Sequence, residues 1–198
     1  MTSVLAISAH PDDAELGCGG YLQRFGERRI VVLSQGERGG AWGVRKAEQM
    51  ESAKVLRAET GLYDLRDTAI DLMDAAEILE AEIADYRPTT ILTMAPHDTH
   101  QDHATVYRAT MIAVRDYPCT VLAYVGPSSA AAFAPTGFVP LTTQEMAVKQ
   151  AALACHHSQS ARSYMVPEAV EGMARYWSMV MRAKAQYVEP FECIRAWG

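Results

Sequence analysis

The chain has no apolar run close to the roughly 20 residues that a membrane-spanning helix needs. Its longest, such as residues 30–33 and 130–134, are a handful of residues each. No basic stretch followed by an apolar segment opens it, so no secretory leader is expected. Positive charge is in deficit: 18 Lys plus Arg face 24 Asp plus Glu, for a formal net charge of −6. That balance argues against a nucleic-acid-binding protein, whose broad basic face must displace counterions. Cysteine is sparse. Cys18, Cys119, Cys155 and Cys193 are scattered with no C-x-x-C pair, which suits reduced thiols in a cytoplasmic protein and neither a disulfide frame nor a zinc knuckle. No repeat, low-complexity tract or linker breaks the 198 residues, so one domain spanning 1–198 with a sizeable core is expected.

What is present is an alternation of strands and helices. Residues 3–9, 29–34 and 89–94 are short continuous apolar runs, the pattern of strands buried on both faces of a parallel sheet. Residues 120–125 read as a further strand, and an extended piece is expected at 62–65. Helices are expected over 15–26, 44–58, 71–86, 103–116, from Thr143 as N-cap to about 156, and from 167 to about 184. The pattern predicts an α/β fold, a Rossmann-like three-layer sandwich around a mostly parallel sheet. In such sheets ligands bind beyond the carboxyl ends of the strands.

Both clusters of His and Asp fall at such ends. The six histidines are His10, then His97, His100 and His103, then His156 and His157. His10 with Asp13 follows the first strand; His100 and His103, with Asp102 between, follow the strand at 89–94. Two imidazoles and one carboxylate suit zinc, which takes N and O ligands tetrahedrally and leaves a fourth position for water in catalytic sites. The bland alternatives are a hydrogen-bonded His at a strand end, and Asp12-Asp13 as simple helix N-capping.

The segment Ala9-His10-Pro11-Asp12-Asp13-Ala14-Glu15, then Gly17-Cys18-Gly19-Gly20, together with Asp98-Thr99-His100-Gln101-Asp102-His103, resembles the LmbE/PIG-L family of zinc-dependent deacetylases. Gln101 stands where the family often has Pro. Weaker similarities at Gly36-Glu37, Arg45 with Glu48, Lys149, His157-Ser158-Gln159 and Tyr187-Val188-Glu189-Pro190-Phe191 extend the resemblance along most of the chain. It implies Zn2+ held by His10, Asp13 and His103, with Asp12 as the general base toward the attacking water. His100 would stabilise the oxyanion or protonate the leaving amine. Asp102 would orient an imidazole or cap the helix beginning near it. For Arg45 the alternatives are a polar contact to substrate and an i, i+3 pair with Glu48. Trp42 would stack on a sugar face or pack against the body. Cys18 is expected to be a small buried apolar group. His156 and His157 are expected in packing or at the surface. Met173, Met179 and Met181 are expected in the core or in a subunit contact.

The implied activity is removal of acetyl from an N-acetylated amino sugar or glycoside. The alternative within the same chemistry is an amidase for a thiol-sugar conjugate or other N-acyl natural product. A nucleotide-binding module is disfavoured because the carboxylates of Asp12 and Asp13 would repel phosphates and the glycines do not follow G-x-G-x-x-G. A non-catalytic scaffold would not need these acids and imidazoles. The expected partner is a small molecule, with neither nucleic acid nor membrane, and a homo-oligomer is a family-based expectation. Residues 37–45 and 128–139 are the loops expected to set specificity.

Overall fold

A computed structural model describes residues 2–41, 43–129 and 131–197. Five strands run parallel: β1 (Ser3–Ser8), β2 (Glu27–Val32), β3 (Glu59–Leu62), β4 (Thr90–Met94) and β5 (Thr120–Tyr124). Two more, β6 (Gly137–Leu141) and β7 (Tyr187–Arg195), complete one sheet in the order β3-β2-β1-β4-β5-β7-β6. Strand β7 is antiparallel to both of its neighbours. The order reverses between β1 and β4, which opens a crevice beyond their carboxyl ends.

Helices α1 (Asp13–Cys18), α2 (Val44–Leu56) and α5 (Thr143–Ala154) pack together, and α3 (Leu72–Tyr86) packs on α4 (Gln101–Ala113). Right-handed crossovers put the two groups on opposite faces of the parallel strands, giving three layers. The last helix, α6 (Pro167–Val180), lies against β7. Between the layers sit β1, whose six residues are all buried, and the buried ends of β2 and β4, as the unbroken apolar runs require. Among the described residues no helix is long and apolar enough to cross a membrane.

Several expectations need correction. The helix over 15–26 stops at Cys18, and Tyr21–Arg24 forms a separate 3-10 turn, because Gly19 and Gly20 weaken the helix between them. The N-cap of α5 is Thr142, not Thr143. Only Thr142 has Glu three residues on, and the two close a capping box in which Glu145 N–H donates to Thr142 Oγ1 at 3.1 Å. Strands β6 and β7 were unforeseen because each carries a proline, Pro140 and Pro190, a residue that argues against a strand. Pro140 is tolerated on the sheet's edge. Met173, Met179 and Met181 are 44%, 68% and 42% exposed, so they are not core.

Candidate functional site

The loops after β1, β2, β3, β4 and β5 meet over the crevice and enclose a cleft of about 330 Å³. His10 and Asp12 come from the first of these loops and Asp13 from the start of α1, while His100 caps α4 and His103 stands in its first turn. Asp67 and Thr68 follow β3, while Pro127 and Ser128 follow β5.

One donor atom from each of His10, Asp13 and His103 lies within 4.8 Å of the other two. His103 Nε2 is 3.5 Å from Asp13 Oδ1, and His10 Nδ1 is 3.7 Å from Asp13 Oδ2. Tetrahedral zinc with bonds of about 2.0–2.2 Å spaces its ligands roughly 3.3–3.6 Å apart, close to these two separations, which run to the two different oxygens of Asp13. The outward nitrogens are also provided for. His10 Nε2 lies 3.0 Å from Asp102 Oδ2 and 3.2 Å from Asp67 Oδ1. His103 Nδ1 lies 3.0 Å from Asp98 Oδ2. A carboxylate behind each imidazole is the arrangement that fixes the tautomer and orientation of a metal-binding histidine. Burial disfavours a charged His10, yet the hydrogen bonds to Asp102 and Asp67 and the charge of Asp13 overcome it and push the imidazole up to about 10. Without a cation the cluster draws in a proton, so its donor set fits a divalent metal.

Asp12 holds the N-cap position of α1, but its side chain makes no capping bond, which removes the capping alternative. Its backbone has φ +93°, in the left-handed region that costs a non-glycine residue of order 1–3 kcal/mol. The Asp12 N–H donates to Gln49 Oε1 at 3.3 Å, and Asp12 Oδ2 accepts from Arg45 Nη2 at 3.0 Å. Burial, followed by the charge of Asp13, raises the Asp12 carboxyl to about 7 against the opposing pull of Arg45 and His156. Arg45 is itself buried, donating to the carbonyls of Pro11 at 2.6 Å and Gly36 at 3.3 Å. Gly36, at φ +64°, has no room for more: a Cβ there would sit 2.0 Å from Arg45 Nη1. The alternative pair of Arg45 with Glu48 is not formed; Glu48 accepts from Ser158 N–H and Oγ at 2.7 Å each.

His100 is the N-cap of α4, its Nδ1 accepting from Asp102 N–H at 3.2 Å. That bond needs the Nδ1 lone pair, so the ring proton resides on Nε2. Burial and the charges of His103 and His10 hold the His100 pKa below its ordinary value, keeping the ring neutral. The Asp102 carboxylate lies 3.0 Å from His10 Nε2 and accepts from Thr68 N–H at 2.7 Å and Ile70 N–H at 3.4 Å. Trp42 lies outside the described residues. Cys18 is fully buried, with Sγ donating to Ala14 O at 3.2 Å. His157 is exposed, whereas His156 is buried 3.8 Å from Glu15 Oε1. Glu15 is also buried and accepts from Gln49 Nε2 at 2.7 Å, so Gln49 links it to the Asp12 backbone.

Four contributors to the site carry no role in the sequence reading: Asp67, Asp98, Gln49 and Glu15. Asp98 and Glu15 stand inside the motifs that point to the site, and only a role was lacking. Asp67 could have been sought beyond the carboxyl end of β3. Gln49, on the inner face of α2, carries no sequence signal.

A sequence model of the family described as PIG-L, GlcNAc-PI de-N-acetylase, matches residues 5–114. The "Uncharacterized deacetylase YaiS" of Escherichia coli (strain K12) is 36% identical over 168 residues, covering 78% of this chain and 90% of that protein. The conserved protein TT1542 from Thermus thermophilus has a TM-score of 0.84 at 27% identity, covering 98% of this chain and 95% of that one. GalB, the 4-carboxy-2-hydroxymuconate hydratase from Pseudomonas putida KT2440, superposes with a TM-score of 0.86 at 20% identity, over 100% of this chain and 98% of that one. At such identity the likeness is one of fold, and a fold alone does not select a reaction. The sequence matches go further: with residues 5–114 covered and a relative this similar over most of both chains, the chain belongs to the PIG-L (GlcNAc-PI de-N-acetylase) family.

Proposed function

We propose that the protein is a zinc-dependent hydrolase that removes the acetyl group from an N-acetylated amino sugar or glycoside. The observation carrying this reading is the meeting of His10, Asp13 and His103 donors beside the buried, strained Asp12. Membership of a family described by a de-N-acetylase supports the amide substrate, and the YaiS relative is named a deacetylase. His10, Asp13 and His103 would hold the zinc, which when bound polarises a carbonyl and brings the pKa of a water down to about 7.

The chain's own residues supply the rest. Asp12, raised to about 7, is matched to take a proton from the attacking water near neutral pH. Arg45 occupies Oδ2 and leaves Oδ1 as the basic atom. The proton collected there is the one that the departing amine requires. His100, neutral with its proton on Nε2, donates a hydrogen bond to the oxygen on which negative charge grows, which favours the oxyanion role over that of acid. Asp102, Asp67 and Asp98 keep the imidazoles in register. Arg38, Thr68, Gln159 and Arg162 line the cleft and offer partners to sugar hydroxyls.

The test is acetate release by the zinc-loaded protein from a panel of N-acetylated amino sugars and their glycosides. Acetate that appears with zinc and disappears with chelator supports the reading. A protein that binds zinc at these residues yet releases acetate from none of the panel is not this deacetylase.

A further inference from the structure

A second cavity, of about 220 Å³, adjoins the cleft, and Leu16, Pro127 and Tyr164 wall both spaces. Their other walls differ in kind. Much of the remaining cleft wall is charged or polar, as with Arg38, Asp67, Gln159 and Arg162. The second cavity is faced by Ala169, Val170, Met173 and Ala174 from α6 and by Val188 and Pro190 from β7. Lys149 and Glu189 also border it, but they satisfy each other at 2.6 Å, and Glu189 accepts from the N–H groups of Gly20 and Tyr21. Among the described residues, none of the buried side-chain polar atoms that lack a partner belongs to its walls. Met173, on one wall, is 44% exposed, apolar surface that an occupant would bury.

We propose that this cavity is an acyl subsite, taking the aliphatic chain of an N-acyl substrate longer than acetyl while the hydroxylated amine half lies in the polar cleft. The proposal rests on the amide-hydrolase reading above. An amide has two halves on either side of the scissile bond. The sugar half needs hydrogen-bonding walls and the acyl half needs none, so the division of walls divides the substrate. Acetyl contributes one methyl beyond its carbonyl. A space of about 220 Å³ admits roughly seven heavy atoms, if each displaces about the ~30 Å³ that a water occupies.

The zinc-loaded protein is offered N-acetyl-, N-butyryl- and N-hexanoylglucosamine and the hexyl glycoside of N-acetylglucosamine, with free amine as the readout. Each buried methylene is worth roughly fourfold, so kcat/KM is expected to rise at least about tenfold from acetyl to hexanoyl, mainly through KM. Ala169→Trp, which fills the cavity from the exposed side of α6, should bring the hexanoyl-to-acetyl ratio down to about one. A wild-type ratio at or below one overturns the subsite, and a gain that follows the hexyl glycoside alone overturns its acyl assignment. If no amide is cleaved, the deacetylase reading fails, and binding still decides the subsite. Calorimetry with acetohydroxamic and hexanohydroxamic acids should then show the longer probe bound at least about tenfold more tightly, and equal affinity or no binding of either refutes it.

Discussion

Lys149 and Glu189 are as deeply buried as His10 and Asp12, yet the two groups of charge are satisfied in different ways. The first is one cation against one anion at 2.6 Å, with two backbone N–H groups completing the Glu189 carboxylate. It is closed. In the second, the carboxylates of Asp12, Asp13, Asp67, Asp98 and Asp102 lie against the imidazoles of His10 and His103, and among the described residues Arg45 is the guanidinium that ion-pairs with them. It has a surplus of negative charge, and His10 answers by holding a proton up to about pH 10. Burying charge is costly unless it is paired. A balanced buried pair can therefore be read as structure, and an unbalanced one as a site awaiting a cation.

The sharpest way to test this division is to take one member from the unbalanced cluster. His103→Ala removes a proposed ligand and the imidazole beside Asp98, which keeps the His100 N–H at 2.8 Å. The expected result is zinc content near zero after dialysis and a fall in kcat/KM of about a thousandfold or more, since the metal's role in polarising the carbonyl goes with it. Full zinc occupancy in this variant would break the comparison, because the surplus charge would then serve something else. Asp12→Asn divides the cluster further. It leaves the three proposed ligands in place, so zinc should stay bound while kcat drops by about 10²–10⁴, the usual scale of a general base. Metal analysis beside steady-state kinetics reads both quantities.

The balanced cluster should fail differently. Lys149→Met leaves Glu189 buried without its cation, and losing one partner of such a pair typically costs about 3–5 kcal/mol. Urea unfolding should show that loss, while the folded protein still takes up one zinc per chain. Lys149→Met combined with Glu189→Leu should recover part of the stability, because no charge is then stranded. If Lys149→Met instead abolishes zinc uptake with the fold intact, the two clusters are coupled and their separation is wrong.

The two regions also differed in how plainly the sequence announced them. The parallel half was legible because a doubly buried strand is an unbroken apolar run and its ligand-bearing loop starts where the run stops, as at Ile7 to His10 and Met94 to Asp98. Each motif packs its polar residues into six or seven positions, so two His and Asp clusters at strand ends could be anticipated, while the particular set of His10, Asp13 and His103 was implied by the family resemblance. The antiparallel end offered no such signal. Pro140 and Pro190 hid two strands, and Glu189 reaches its partners Lys149 and Gly20 across 40 and 169 residues of chain. Asp67 illustrates the limit within the legible half. Its pairing with His10 depends on β3 standing two strands from β1, a fact of sheet order that no local pattern contains.

The smallest effect is expected at Glu145, which ties the same 3-10 turn that Glu189 holds. Glu189 takes the N–H groups of Gly20 and Tyr21 at its start, and Glu145 pairs with Arg24 at its end, 3.0 Å from Nε. Burial works against a charged Glu145, but bonds from Arg24 and Thr142 outweigh it and keep the carboxyl below its ordinary 4.5. A depressed folded pKa means that the stabilisation is fully present above about 4.5 and is lost as pH falls through the lower folded value. Glu145→Gln keeps an oxygen for the capping box and gives up the charge together with the acceptor that faces Arg24 Nε. The expected cost at pH 7 is about 0.5–1 kcal/mol, from a partly exposed ion pair and a charge at a helix N-terminus. Urea midpoints of wild type and variant should converge as pH falls through that lower folded value, with zinc affinity equal at pH 7. A gap that persists unchanged to pH 3 would show that the neutral bonds of the box carry the effect. A change in zinc affinity would show that charge at this end of the sheet reaches the cleft.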